Sequence, residues 1–269
     1  MVDEFTWLRN QAKDKRSKEL INEIENDKKL VEKKGKIIKS NKIFSIKLGN
    51  FIIWLRKKEA SSVIDIYFEI FGKKYYTILP EFLGEKDKVV LDIGANEGYY
   101  VLKMKENNPN LKIIAVEPNP YAFEILQKNI KTNKIKNITL VNNAISTKNA
   151  RIKFQIVDEI STIGAIKIIK KPWLDAKRIR NIIVSGISLS KLCKINNIKN
   201  IDILKIDTEG SELDVLKSSS DSLKNVRKIV IEYHSNNLKD SCIKFLTSRG
   251  FMLLKEIRCG KRGYIYFMK

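Results

Sequence analysis

Four short clusters in this chain place carboxylates beside glycine, proline or histidine where an apolar run stops. The first is Asp92-Ile93-Gly94-Ala95-Asn96-Glu97-Gly98, following Val89-Val90-Leu91. The second, Val116-Glu117-Pro118-Asn119-Pro120, closes a run that begins at Lys112. The third is Leu204-Lys205-Ile206-Asp207-Thr208-Glu209-Gly210, and the fourth is Ile231-Glu232-Tyr233-His234. Gly94 suits a tight turn with positive φ, and Gly98 lets a ligand or the next helix come close. No G-K-[ST] follows, so the turn is not a phosphate-binding P-loop. Asn96 stands where a dinucleotide fingerprint has its middle glycine.

A carboxylate at Asp92 would repel a pyrophosphate, yet it suits an amine or a cation. Glu117, about 20 residues after Gly98, can accept both hydroxyls of a ribose. Together they describe a nucleoside site without a phosphate. S-adenosylmethionine, an amino acid with a sulfonium centre and no pyrophosphate, fits this description better than NAD does. Asp207 and Glu209 are two residues apart and share a face if the run is extended. Asp207, Glu209 and His234 are the candidate proton acceptors for a hydroxyl substrate, and a His titrates in the useful range. Two carboxylates and an imidazole are also a legitimate metal-ligand set. The favoured reading has no metal.

The clusters must be carried by strand ends. Val89–Ile93, Lys112–Val116, Ile138–Val141, Ile201–Ile206 and Lys228–Ile231 are short apolar runs of the kind that form buried parallel strands. Helical segments separate them: Gly98–Asn107, Tyr121–Lys131 and Ser211–Lys217. This alternation predicts a parallel sheet covered on both faces. Ligands in such sheets bind outside the carboxyl ends of the strands, where all four clusters fall. A helix near 241–248 and two strands, Phe251–Ile257 and Tyr264–Met268, end the chain; their short connection makes that pair antiparallel. Residues 1–84 read as a helical extension. A long charged helix spans 1–34, Ile43–Leu55 reads as a buried core helix, and Ser61 and Ser62 can cap a helix through Phe71. The thin apolar stripe of 1–34 leaves two readings open, a homodimer contact or packing on the protein's own body. Residues 85–269 form the α/β domain, and 151–200 is an insertion with strands at Ile152–Val157 and Ile182–Ile187.

The formal net charge is +21 over 269 residues. The excess is densest in 151–200, with 11 basic side chains against 3 acidic ones. Lys170, Lys171 and Arg178 sit there as candidate contacts for an anionic acceptor. The three cysteines are widely spaced with no C-x-x-C, so no zinc ribbon is available. The charged N-terminus lacks a signal-peptide core, and no apolar run approaches the ~20 residues of a membrane span. A cytoplasmic protein is expected.

Taken in order, DIGANEGYY (92–100), VEPNPYAFEILQKNI (116–130), NNAIS (142–146), LKIDTEGSELDVLK (204–217) and VIEYH (230–234) resemble the FkbM family of S-adenosylmethionine-dependent methyltransferases. The resemblance covers about residue 61 to the C-terminus. It implies a Rossmann-like, seven-stranded, mostly parallel sheet with an antiparallel C-terminal strand. It implies that Asp92, Gly94 and Gly98 surround the methionine part, Glu117 the ribose, and Asn143 with Ala144 the adenine. Asn96 and Asn119, on the same two turns, are counted with the cofactor site. The resemblance further implies O-methylation of a sugar, glycolipid or other small hydroxyl-bearing acceptor. An RNA (tRNA) methyltransferase is the alternative the charge suggests, but KIDTEG replaces the N-P-P-[YF] of exocyclic amine chemistry. A non-catalytic module recruiting an anionic partner is disfavoured by the intact Asp92 and Glu117.

Overall fold

The computed structural model describes residues 3–34, 40–147, 150–157, 160–165 and 179–269. Its central sheet has seven strands: β3 (Val89–Ile93), β4 (Lys112–Val116), β5 (Ile138–Val141), β10 (Ile201–Ile206), β11 (Val226–Tyr233), β12 (Met252–Cys259) and β13 (Arg262–Met268). They lie in the order β12-β13-β11-β10-β3-β4-β5. β3, β4, β5, β10 and β11 run parallel, and β13 is antiparallel to both β11 and β12. The chain runs outward from β3 through β4 to β5, then returns to place β10 on the other side of β3. That reversal opens a crevice at the carboxyl ends of β3 and β10. Helices α4 (Tyr99–Asn107), α5 (Pro120–Thr132), α6 (Leu189–Ile195), α7 (Glu212–Ser218) and α8 (Asn236–Thr247) accompany the strands. The sheet and its helices match the expected α/β class.

The amino-terminal region differs from the expectation in two places. The predicted single helix is two, α1 (Glu4–Gln11) and α2 (Lys15–Lys34). Asp14 breaks it by accepting the Ser17 backbone N–H at 2.8 Å, the local bond that favours a helix start over a helix interior. The predicted core helix over Ile43–Leu55 is instead a hairpin of β1 (Ile43–Leu48) and β2 (Phe51–Arg56). Gly49 takes φ +55 at the two-residue turn, and Ile46, Leu48, Ile53 and Leu55 alternate inward. Asn129 of α5 and Asn133, which caps its carboxyl end, accept the Trp54 and Ile52 backbone N–H groups at 2.7 and 2.8 Å, which occupies donors of an edge strand. Ser61 and Ser62 lie inside α3 (Ala60–Tyr67), whose N-cap is Glu59, two residues before Ser61. A wider helical turn continues α3 over Phe68–Gly72.

Helices α1 and α2 pack on their own chain. Phe5, Leu8, Ile21 and Ile24 are buried, and Lys28 reaches Asp65 of α3 at 2.5 Å. One hydrophobic cluster runs without a break from Phe5 through Tyr67 and Tyr76 to Tyr264 and Tyr266. The insertion forms a small sheet in the order β6-β9-β7-β8, from β6 (Ala144–Ile145), β7 (Arg151–Val157), β8 (Ile160–Ala165) and β9 (Ile179–Ile187). Lys170, Lys171 and Arg178 lie outside the described residues. No helix among the described residues is long and apolar enough to cross a membrane.

Candidate active site

The turn after β3 is built by backbone bonds that extend the sheet. Gly94 and Ala95 both donate to the Val116 carbonyl, at 2.9 and 3.0 Å, and Asp207 N donates to Ile93 O at 3.0 Å. The β3 and β10 turns therefore meet. A Cβ on Gly94 would lie 1.7 Å from the Asp207 carbonyl oxygen, and its φ is +78, so only glycine fits. Asn96 takes φ +50, a left-handed conformation that Asn tolerates better than most residues. Its backbone N–H donates to Glu117 Oε2 at 2.8 Å, and Asn119 N donates to Oε1 at 2.7 Å. These two bonds fix the Glu117 carboxylate across the crevice. Burial raises its pKa to about 7 against the pull of those donors.

A cavity opens there. Ile93, Val116, Ile145, Phe154 and Val215 supply apolar wall; Glu117, Asn143 and Ala144 lie at one end, Asp207 and Glu209 at the other. Its described lining carries three carboxylates and no Lys or Arg. A diphosphate would find no countercharge, whereas an adenosine with a cationic tail would find an apolar slot, a diol acceptor and two further carboxylates. The residues present therefore fit S-adenosylmethionine.

Three of the expected cofactor residues do not line this cavity. Asp92 is fully buried and faces Lys205, its neighbour in the β3–β10 register, with Nζ to Oδ1 at 3.0 Å. Lys205 Nζ also donates to the Gly94 carbonyl at 2.7 Å. Asp92 thus holds the cation that braces the turn, a role that a parallel-strand register decides. Gly98, at φ +91, starts α4 where a Cβ would meet Leu126 Cδ1 at 2.5 Å, so it serves helix packing. Asn119 caps α5 by accepting the Tyr121 N–H at 3.1 Å, and its own N–H positions Glu117.

Asp207, Glu209 and His234 do come together. His234 Nε2 is 3.5 Å from Glu209 Oε2 and 3.9 Å from both Asp207 Oδ1 and Glu232 Oε1. Its Nδ1 meets Glu212 Oε1 at 3.0 Å. Burial would lower the imidazole pKa, but Glu209 first, then Glu212 and Glu232, outweigh it and raise it to about 10. The expectation that His234 titrates near neutrality gives way to an imidazolium held among carboxylates. Glu209 itself sits at φ +51, an uncommon conformation for a non-glycine residue. Glu212 Oε1 accepts the Gly210 and Thr208 N–H groups, at 2.8 and 3.3 Å, and so clamps the turn on both sides of it.

A second cavity lies across the wall formed by Gly94, Asn96, Asp207 and Glu209, which it shares with the first. Glu69, Tyr76, Lys205, Glu232 and Arg262 line it. Tyr76 Oη is 2.9 Å from Asp207 Oδ2 and also bonds Glu232. A phenol has one proton, so both contacts are satisfied when Glu232 carries a proton of its own. Burial, then the Asp207 charge, raises the Glu232 pKa to about 7, which fits that arrangement. Sequence reasoning singled out Ile231–His234 but not Glu232, and it missed Glu69, Tyr76, Lys205, Glu212 and Arg262. A lysine inside the apolar β10 run was a readable signal for Lys205, because a buried charge needs a partner. Glu69 and Arg262, 193 positions apart, carry no such signal.

The model of the methyltransferase FkbM domain family matches residues 92–265. Methyltransferase 1 of Beauveria bassiana is 24% identical over 222 residues, covering 77% of this chain and 88% of its own. The 2-O-methyltransferase NoeI of Sinorhizobium fredii is 26% identical over 174 residues, covering 61% and 71%. The hexuronic acid methyltransferase AglP of Haloferax volcanii is 27% identical over 153 residues, covering 56% and 58%. This chain belongs to the FkbM methyltransferase family, and S-adenosylmethionine is its methyl donor.

Proposed function

We propose that the enzyme methylates a hydroxyl of a sugar or sugar-bearing acceptor. The observation that carries this is the shared wall: Asp207 and Glu209 line both cavities, one fitted to adenosine and the other setting Glu69, Lys205, Glu232 and Arg262 among Ile66, Ile70 and tyrosine rings. Two relatives support the same reading by name, NoeI as a 2-O-methyltransferase and AglP as a hexuronic acid methyltransferase. Glu117 would hold the ribose, Asn143 and Ala144 the adenine, and the Gly94–Asn96 turn the methionine arm. S-adenosylmethionine supplies a methyl group on a cationic sulfur, already a good leaving group. The protein's part is then to orient the acceptor oxygen and to take its proton. Asp207 and Glu209, at the shared wall, would take that proton. His234, an imidazolium, is a positioning residue that holds Glu209 with Glu212. The acidic crevice disfavours an RNA backbone at the reacting centre. Lys170, Lys171 and Arg178 would engage an anionic part of the acceptor.

Labelled methyl donor and a panel of methyl glycosides test this. Transfer to glycoside hydroxyls is expected, with Asp207→Asn and Glu209→Gln each lowering kcat while donor affinity holds. Donor binding without transfer to any glycoside would refute the reading.

A further inference from the structure

The second cavity is closed on one side by chain that precedes the matched family region and on the other by residues within it. Glu69 and Tyr76 come from the segment before β3, and Arg262 comes from the start of β13. Arg262 Nη1 bonds Glu232 Oε1 at 3.0 Å, and its Nη2 bonds Glu69 Oε1. Both ends of the guanidinium fork are thus occupied by carboxylates of the cavity wall. Four carboxylates, Glu69, Asp207, Glu209 and Glu232, face two cations, Lys205 and Arg262. Lys205 is itself committed to Asp92 and the Gly94 carbonyl. An acceptor carboxylate entering here would meet the carboxylates of Glu69, Asp207 and Glu209, with both cations already paired. A neutral ring would meet carboxylates that accept from its hydroxyls and a guanidinium edge that donates to its oxygens.

We propose that the second cavity takes a neutral polyhydroxyl ring and that the Glu69–Arg262 pair sets this choice. Glu69 keeps Arg262 from acting as a carboxylate receptor. This rests on the sugar O-methylation reading of the same site. It also separates the reacting ring from any anionic part of the acceptor, which would lie toward the basic insertion.

The experiment compares a methyl hexoside with the matching methyl hexuronide, which differ only at C6, using labelled donor. Wild type is expected to favour the hexoside in kcat/KM by about ten-fold or more, the equivalent of about 1.4 kcal/mol. Glu69→Gln frees one end of Arg262 and is expected to lower that ratio by about ten-fold, chiefly through a smaller KM for the hexuronide. Donor Kd should be unchanged. Glu69→Asp, which retains the charge, should keep the wild-type preference. A wild type that prefers the hexuronide overturns the proposal without any variant being needed. So does a Glu69→Gln enzyme that is active with an unaltered ratio. Transfer to neither sugar, with the donor still bound, overturns the sugar reading and this one with it.

Discussion

The charge state of His234 is the sharpest test of the site, because it is the one histidine in the chain. A single imidazole signal in a proton NMR titration therefore needs no assignment. The midpoint is expected at about 10, against an ordinary 6.5. The perturbation is Glu212→Gln, which removes a charge 3.0 Å from Nδ1 and keeps the side chain's shape. At an effective dielectric of about 20, that pair is worth about 5 kcal/mol before its desolvation is counted. The net rise is what remains after burial opposes Glu209, Glu212 and Glu232. Losing one of the two leading carboxylates should lower the midpoint by about 1–2 units, or about 1.4–2.8 kcal/mol. The sign for stability follows from a raised basic pKa. The contribution is present in full below the unfolded value of 6.5 and is lost as pH climbs through about 10. The gap in unfolding free energy between wild type and Glu212→Gln should accordingly be widest near pH 6.5 and narrow toward pH 10. A wild-type midpoint close to 6.5, or a midpoint that Glu212→Gln leaves in place, would refute the carboxylate cage.

Gly94→Ala should destabilise the fold by roughly 3 kcal/mol, through the Asp207 carbonyl clash and the positive φ, lowering Tm by about 6–12 °C. A Tm equal to wild type in a scanning calorimeter would show that the two turns can part. Glu117→Ala leaves the Asn96 and Asn119 N–H groups without their acceptor and should raise the donor Kd about 10–100-fold by calorimetry. An unchanged Kd would remove Glu117 from the cofactor site. Charge reversal at Lys170, Lys171 and Arg178 should raise the acceptor KM and leave donor affinity alone. An unmoved KM would leave those residues a solvated face.

The strand–helix alternation from Val89 onward was legible because each run is short, apolar and punctuated by glycine, which leaves few alternatives to a buried parallel strand. The same reading failed at Ile43–Leu55. An apolar run of that length is ambiguous by periodicity, and what resolves it is the Gly49 turn and the Asn side chains of α5 and its carboxyl cap that occupy the hairpin's edge. The four clusters at strand ends, the phosphate-free nucleoside site and the family were all carried by local motifs. Sequence order told nothing of which carboxylate faces what. Asp92 turned inward because register sets it beside Lys205, while Glu117 was left facing the cavity. The charge on His234 depends on four acids from two different strand ends, and the second cavity on Glu69 meeting Arg262. Motifs specify the groups a site contains, because backbone turns and side-chain types are local. Their ionisation and their partners depend on distances between segments remote in sequence, and only the folded sheet brings those segments together.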